Sequence, residues 1–240
     1  MKANSIICFI CLICSMAIQS QTIPIYKISK KIAVDGDLSD WNTPFSSAFV
    51  VHNSGSKASQ DTFVSLSWND DNLYIAFRSV DCNIVGGIKE KDAEIFKTDD
   101  LVELFIDADG DRQNYLELGV NAFSSNYDMV INCVSPFCGG WKTNISFNIQ
   151  DIETVSKITA EGYVTEIKIP FSSLEKISEG NFKKPLTGTK WKGNIFRIDY
   201  GTTTEYLALK PYKTENFGFH KPQEFVDFEF MESNFNQKLN

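Results

Sequence analysis

The chain has 240 residues, 42% of them hydrophobic and 13% aromatic, which is enough apolar surface for one sizeable core without a second domain. A formal net charge of −8 argues against attachment to nucleic acid or anionic lipid, because neutralising phosphates takes clustered Lys and Arg. A neutral or cationic partner is expected.

Residues 1–20 read as a secretory signal peptide. Lys2 supplies a positive start, Ile6 to Ile18 form an apolar run too short to span a bilayer, and Ala17 and Ser20 offer small residues for cleavage near Ser20. No periodic polar face accompanies the run, as a buried amphipathic helix would need. Residues 21–240 are then a single domain, secreted, periplasmic or at the cell surface, monomeric and without a membrane span. Cys8, Cys11 and Cys14 go with the signal. The three remaining cysteines allow at most one internal bridge. Cys133 and Cys138 flank the Pro-containing turn VSPF and close a small loop if their Cα atoms come within about 7 Å, leaving Cys82 as a buried thiol. Zinc is not expected, since the only histidines, His52 and His220, stand far apart in sequence.

Along the mature chain, alternation is frequent and helical periodicity nearly absent. FVSLSW (63–68) puts Val64, Leu66 and Trp68 on one face, NDDN turns, and LYIAFRSV returns with Leu73, Ile75 and Phe77 together, a strong hairpin signal. Further strands are predicted at 101–107, 114–121, 127–133, 145–149, 152–159, 162–169, 194–200, 204–209 and 225–230. Many short strands with polar turns specify an all-β, antiparallel β-sandwich of the immunoglobulin-like or jelly-roll-like kind. Pro170 suits the start of one helical turn in PFSSLEKI. Residues 176–192, rich in Gly, Lys and Pro, read as a surface connection.

The stretch KTDDLVELFIDADGD (97–111) holds one residue that is out of place. In strand 101–107, Val102, Leu104 and Ile106 point one way and Leu101, Glu103 and Phe105 the other. In NYLELGVN, Leu116, Leu118 and Val120 make the matching apolar face, and Tyr115, Glu117, Gly119 and Asn121 the opposite one. Paired through DADGDRQ, the strands place Glu103 and Asn121 on one face, a mixed polar and aromatic surface outside the core. Pattern alone reads it as the solvated outer face that most antiparallel sheets have.

Beyond this, the chain resembles a family 9 carbohydrate-binding module, and more closely the free-standing bacterial proteins related to it. The similarity runs in order through IAVDGDLSDW (32–41), VSLSWNDDNLYIAFRSVD (64–81), DDLVELFID (99–107), LGVNAF (118–123), GYVTEIKIPF (162–171), WKGNIFRIDY (191–200) and NFGFHKPQEFVDFEF (216–230). It implies a sandwich that binds mono-, oligo- or polysaccharide at chain ends. In such a site, rings stack on the apolar faces of a pyranose, and polar side chains bond its hydroxyls. The glutamate of the family's D-x-V-E-(I/L)-F-I-D run falls on Glu103, the asparagine of its V-N pair on Asn121, and a further asparagine on Asn216. The family's two clamping tryptophans fall on Phe96, with a one-residue shift, and on Phe219, and an arginine two residues before the V-N asparagine is replaced by Gly119.

Trp141, in the Gly-rich PFCGGWKTN, offers an alternative platform or packs on its own loop. Trp41, Trp68 and Trp191 are expected in the core. His220 could bond a ligand hydroxyl or lie free on the surface. Asp107, Asp109 and Asp111 provide closely spaced oxygens of the kind calcium prefers, or simply solvate a hairpin turn. Members of the resembled family hold structural calcium, so no cofactor is required but a calcium ion is a candidate. Asn144-Ile-Ser is a glycosylation sequon.

The leading reading is a non-catalytic carbohydrate-binding protein, accessory to glycoside hydrolases or acting alone. One alternative is a glycoside-active enzyme using Glu103 and Glu117, which needs two carboxyls about 5 to 9.5 Å apart across a cleft. The other is a haem-binding sandwich with Met129 and His220 as axial ligands.

Overall fold

The computed structural model describes residues 22–233 apart from 179, 216 and 217, so the expected signal peptide and Asn216 lie outside the described residues. Thirteen strands follow one another: β1 (Thr22–Lys27), β2 (Val50–Val51), β3 (Thr62–Trp68), β4 (Asn72–Val80), β5 (Leu101–Asp107), β6 (Asn114–Asn121), β7 (Asn126–Cys133), β8 (Trp141–Asn144), β9 (Glu153–Ile158), β10 (Gly162–Pro170), β11 (Lys190–Asp199), β12 (Glu205–Ala208) and β13 (Val226–Met231). One helical turn, α1 (Phe171–Glu175), follows Pro170 as expected.

The strands join in the order β8-β7-β6-β5-β11-β13-β1-β3-β4-β10-β9, with β12 and β2 attached beside β11. The sheet curls so that its two arms face each other as a β-sandwich. All pairings are antiparallel except those of β1, which lies parallel to both β13 and β3. β1 was not legible as a strand, because a parallel strand is paired with partners distant in sequence and shows no hairpin signal. Strand β8 is the other displacement: 145–149 was expected, and 141–144 is observed. Of the supposed connection 176–192, Lys190 to Lys192 already belong to β11.

Between the arms lies one continuous apolar core. Val64, Leu66 and Trp68 of β3 and Leu73, Ile75 and Phe77 of β4 meet Val102, Leu104 and Ile106 of β5 and Leu116, Leu118 and Val120 of β6. Each such side chain, fully buried, contributes roughly 1.5–3 kcal/mol of transfer free energy. Trp41, Trp68 and Trp191 are buried as expected. The DGDLSDW segment wraps around one carboxylate: Glu166 accepts from Trp41 Nε1 at 2.6 Å and from the Gly36 amide at 2.6 Å. Gly36 has φ +78°, and a Cβ there would meet the Lys157 side chain at 2.8 Å.

The outer face of β5, β6 and β11 differs from the sequence expectation. It is not solvated. Leu101, Phe105, Tyr115, Tyr127, Phe196 and Ile198 form a second apolar cluster, roofed by Ile95, Tyr212, Phe219 and Phe225 from connecting segments. All seven residues of β5 are buried. The strand is central and covered on both sides, so alternation marks two cores rather than an inside and an outside.

Cys133 and Cys138 form a disulfide with Cα atoms 4.7 Å apart. Cys82 is exposed, not buried as expected. It follows β4, where the chain leaves the sheet.

Candidate functional site

Register brings the outer-face residues together. Glu103 pairs with Gly119, Leu101 with Asn121 and Phe105 with Glu117, while Gly119 faces Tyr127 and Glu117 faces Met129 on β7. Glu103 and Asn121 therefore share a face, as the alternation required. Glu103 is only 3% exposed, however, and the expected open surface is a buried polar centre beneath aromatic rings.

At that centre stands Tyr127, which the sequence reading did not single out. Its Oη lies 2.6 Å from Glu103 Oε1 and 3.0 Å from Glu117 Oε1. One hydroxyl proton can serve only one carboxylate, so satisfying both contacts requires a proton on one of the acids. Burial pushes Glu103 up to about 7 and, with the charge of Glu103 beside it, Glu117 up to about 8. A neutral Glu117 donating to Tyr127 Oη, with Tyr127 donating to Glu103, satisfies the geometry. The second oxygen of Glu103 is buried without a hydrogen-bond partner. Gly119 explains its own departure from the family pattern: a Cβ would stand 2.2 Å from Tyr127 Cε1 and 2.9 Å from Leu101 Cδ1. The missing side chain is the seat of the tyrosine ring. The signal for Tyr127 was the alternation of Tyr127, Met129 and Ile131 in the third strand of the meander, which puts all three on this face.

The other expected site residues differ in how far they are buried. Phe96 is half-buried over this centre, edge-on to Tyr127 with ring centroids 5.4 Å apart, its carbonyl held by Tyr200 Oη at 2.7 Å. Phe219 is not an open clamp. It is buried, with its face stacked on Phe196 at 4.0 Å and 15°. Asn121 spends its amide internally: Nδ2 donates to Ile88 O and Asp99 Oδ2, both at 2.8 Å, and Oδ1 accepts from the Phe123 and Ser125 amides. It ties two loops to the site rather than facing solvent.

His220 stacks between Phe105 (5.2 Å, 28°) and Trp141 (4.8 Å, 28°). Burial lowers it to about 4, so its 3.6 Å approach from Nε2 to Glu117 Oε2 is not an ion pair at neutral pH. Tyr115 Oη lies 2.9 Å from Nδ1. With both ring nitrogens facing protein groups, His220 is poorly placed as an axial haem ligand with Met129. The enzymatic arrangement fares no better, because Glu103 and Glu117 converge on one hydroxyl instead of facing each other across a cleft.

Two concavities open on this face. One, of about 350 Å³, is lined by Asp92, Glu94, Phe96, Tyr127, Met129 and Ile145. The other, of about 580 Å³, is lined by Trp141, Thr214, Glu215, His220 and Lys221 among others.

The acidic turn keeps Asp107, Asp109 and Asp111 oxygens within 4.8 Å of one another. Asp107, however, accepts the Gly110 amide at 2.7 Å and the Arg112 amide at 2.8 Å, and Asp111 Oδ1 accepts the Gln113 amide. Few outward oxygens remain against the six to eight that calcium takes, so the set fits a closed turn better than an ion site.

A two-layer β protein that offers rings, an unsatisfied buried carboxylate and shallow hollows on one sheet face is built as a binding module. The sequence profile described as "Carbohydrate family 9 binding domain-like" matches residues 34–195, and the chain belongs to that family. Among solved structures, a protein from Bacteroides uniformis assigned as carbohydrate-binding superposes with TM-score 0.70 at 16% identity, over 88% of this chain and 99% of its own. A carbohydrate binding module of family 9 from Caldicellulosiruptor kristjanssonii superposes with TM-score 0.60 at 18% identity in its glucose complex, over 89% of this chain and 97% of its own. Its cellotriose complex gives the same score and identity over 92% and 98%. At these identities the likeness is one of fold. No curated protein matches the sequence. Among the described residues, no helix is long and apolar enough to cross a membrane.

Proposed function

We propose that the protein is an exported, non-catalytic carbohydrate-binding protein that holds a sugar in the hollow walled by Phe96, Tyr127 and Met129. The observation that carries this reading is the second oxygen of Glu103, buried without a protein partner behind Tyr127, which bonds Glu103 and walls the hollow together with half-buried Phe96. A buried acceptor left unsatisfied is costly, and a sugar hydroxyl supplies the missing donor. Phe96 offers a ring edge or face to pyranose C–H groups, while Asp92 and Glu94 at the rim accept further hydroxyls. Asn121 and Phe219 support this site from within. The glucose and cellotriose complexes of the Caldicellulosiruptor module make those two sugars the first probes. Export is supported by the apolar run at Ile6 to Ile18 and by the disulfide, which persists in oxidising compartments.

Titration calorimetry with both sugars, backed by a glycan array, tests the reading. Glu103→Gln keeps the volume but removes the charge, and is expected to weaken binding by roughly 10- to 100-fold, as loss of a hydrogen bond to a charged group implies. Unchanged affinity would take Glu103 out of the site. Because the turn at Asp107, Asp109 and Asp111 spends its oxygens on backbone amides, chelator is expected to leave binding unchanged, and loss of binding in chelator would overturn that reading of the turn.

A further inference from the structure

Four of the eight exposed large hydrophobic side chains among the described residues, Val134, Phe137, Trp141 and Ile145, fall within one short segment at the sheet edge. Phe137 is 79% exposed and Trp141 46%. The backbone that carries them is constrained. Phe137 and Cys138 both occupy left-handed backbone (φ 67° and 51°), a conformation that non-glycine residues adopt only when the surroundings impose it. Here the Cys133–Cys138 disulfide and the Val134 N–H bond to Gly140 O close the loop. Cys133 is also the cross-strand partner of Trp141. The indole lies against His220 on one side, and His220 is itself stacked on Phe105. The adjoining hollow of about 580 Å³ carries Glu215, Lys221, which also pairs with Glu224, and Thr214, whose hydroxyl donates to Asn53 and keeps acceptor capacity, a set of mixed sign that suits a neutral, polyhydroxylated ligand. Thr143, on β8 with Trp141 and two residues along, borders the smaller hollow at Phe96, so the two concavities flank the same strand.

We propose that the disulfide-closed loop presenting Phe137 and Trp141 is an outer subsite that stacks on a second or third sugar of a chain, making the ligand an oligosaccharide rather than a monosaccharide. This rests on the functional reading above. The Trp141 indole, already fixed against His220, loses little conformational freedom when a sugar stacks on it.

The test titrates the full chain with glucose and with cellotriose, in the parent and in Phe137→Ala. The parent is expected to bind cellotriose at least about tenfold more tightly than glucose, and Phe137→Ala to keep the glucose affinity while losing most of that advantage. Trp141 gives a second readout, since the other three tryptophans are buried: cellotriose, but not glucose, should protect it from acrylamide quenching. Equal affinity for the two sugars in the parent, or an undiminished advantage in Phe137→Ala, would overturn the outer subsite alone. Binding of neither sugar would overturn it together with the functional reading.

Discussion

Two groups of buried carboxylates lie on opposite faces of the sheet where β5 meets β11, and they are satisfied in different ways. Toward the inter-layer core, Arg197 reaches Asp81 at 2.8 Å, Asp199 at 3.0 Å and the Thr62 hydroxyl at 2.9 Å. Backbone amides complete the set, with Asp100 accepting from Val85 and Tyr200 and Asp81 from Asn83. One residue away in register, on the other face, Glu103 and Glu117 have no cation and share a single tyrosine hydroxyl. The first arrangement spends its carboxylates on the fold, with only the Arg197 Nε–H left without a hydrogen-bond partner. The second leaves an acceptor over, and a buried group left short of partners is where a ligand gains most.

The sharpest way to break the contrast is Arg197→Met. It leaves Asp81 and Asp199 buried without their cation and should cost about 3–5 kcal/mol in urea unfolding, the penalty typical of stripping one partner from a buried pair. A loss below about 1 kcal/mol would make the Arg197 group as dispensable as a surface pair. Next comes Gly119→Ala, whose methyl collides with the Tyr127 ring and should cost roughly 1–3 kcal/mol by overpacking. A crystal structure of that variant with Tyr127 unmoved would contradict the account of Gly119 as its seat. Tyr127→Phe removes the shared hydroxyl and is expected to cost about 1–2 kcal/mol at pH 7, since two buried acids lose their partner; no change would show that solvent already reaches them.

The pH dependence sharpens the same comparison. Glu103 and Glu117 titrate in the fold near 7 and 8 against an ordinary 4.5, so between about pH 4.5 and 8 the folded state binds more protons than the unfolded one. Stability from this pair is full below 4.5 and falls as pH rises through that window. Asp100, raised to about 6, and Asp107, raised to about 7, act in the same direction. Thermal melts of Glu103→Gln/Glu117→Gln should therefore flatten the profile without abolishing its slope, and an unchanged profile would contradict the raised values. Smallest of all, Phe137→Ala should alter stability by less than about 0.5 kcal/mol, because its ring is exposed; a larger loss would make Phe137 part of the fold rather than of a binding surface.

Much of this was legible in the residues. Strands β5 and β6 matched the expected bounds, because alternation and a polar turn fix a hairpin and its register together. The shared face of Glu103 and Asn121 follows from that register. Strand β8 was misplaced because WKTN is exposed throughout and carries no alternation between buried and open positions. Phe219 looked like a clamp, since nothing local reveals that Phe196, distant in sequence, covers its face.

From its sequence alone, the chain determined a β-sandwich of the carbohydrate family 9 binding domain-like family and placed Glu103 opposite the inter-layer core, since both depend on short-range pattern and hairpin register. Whether that opposite face met water was decided only in three dimensions. Ile95, Tyr212, Phe219 and Phe225 arrive from connecting segments to roof it, and the removal of water they bring about turns an ordinary surface glutamate into a buried acceptor with one oxygen unpaired.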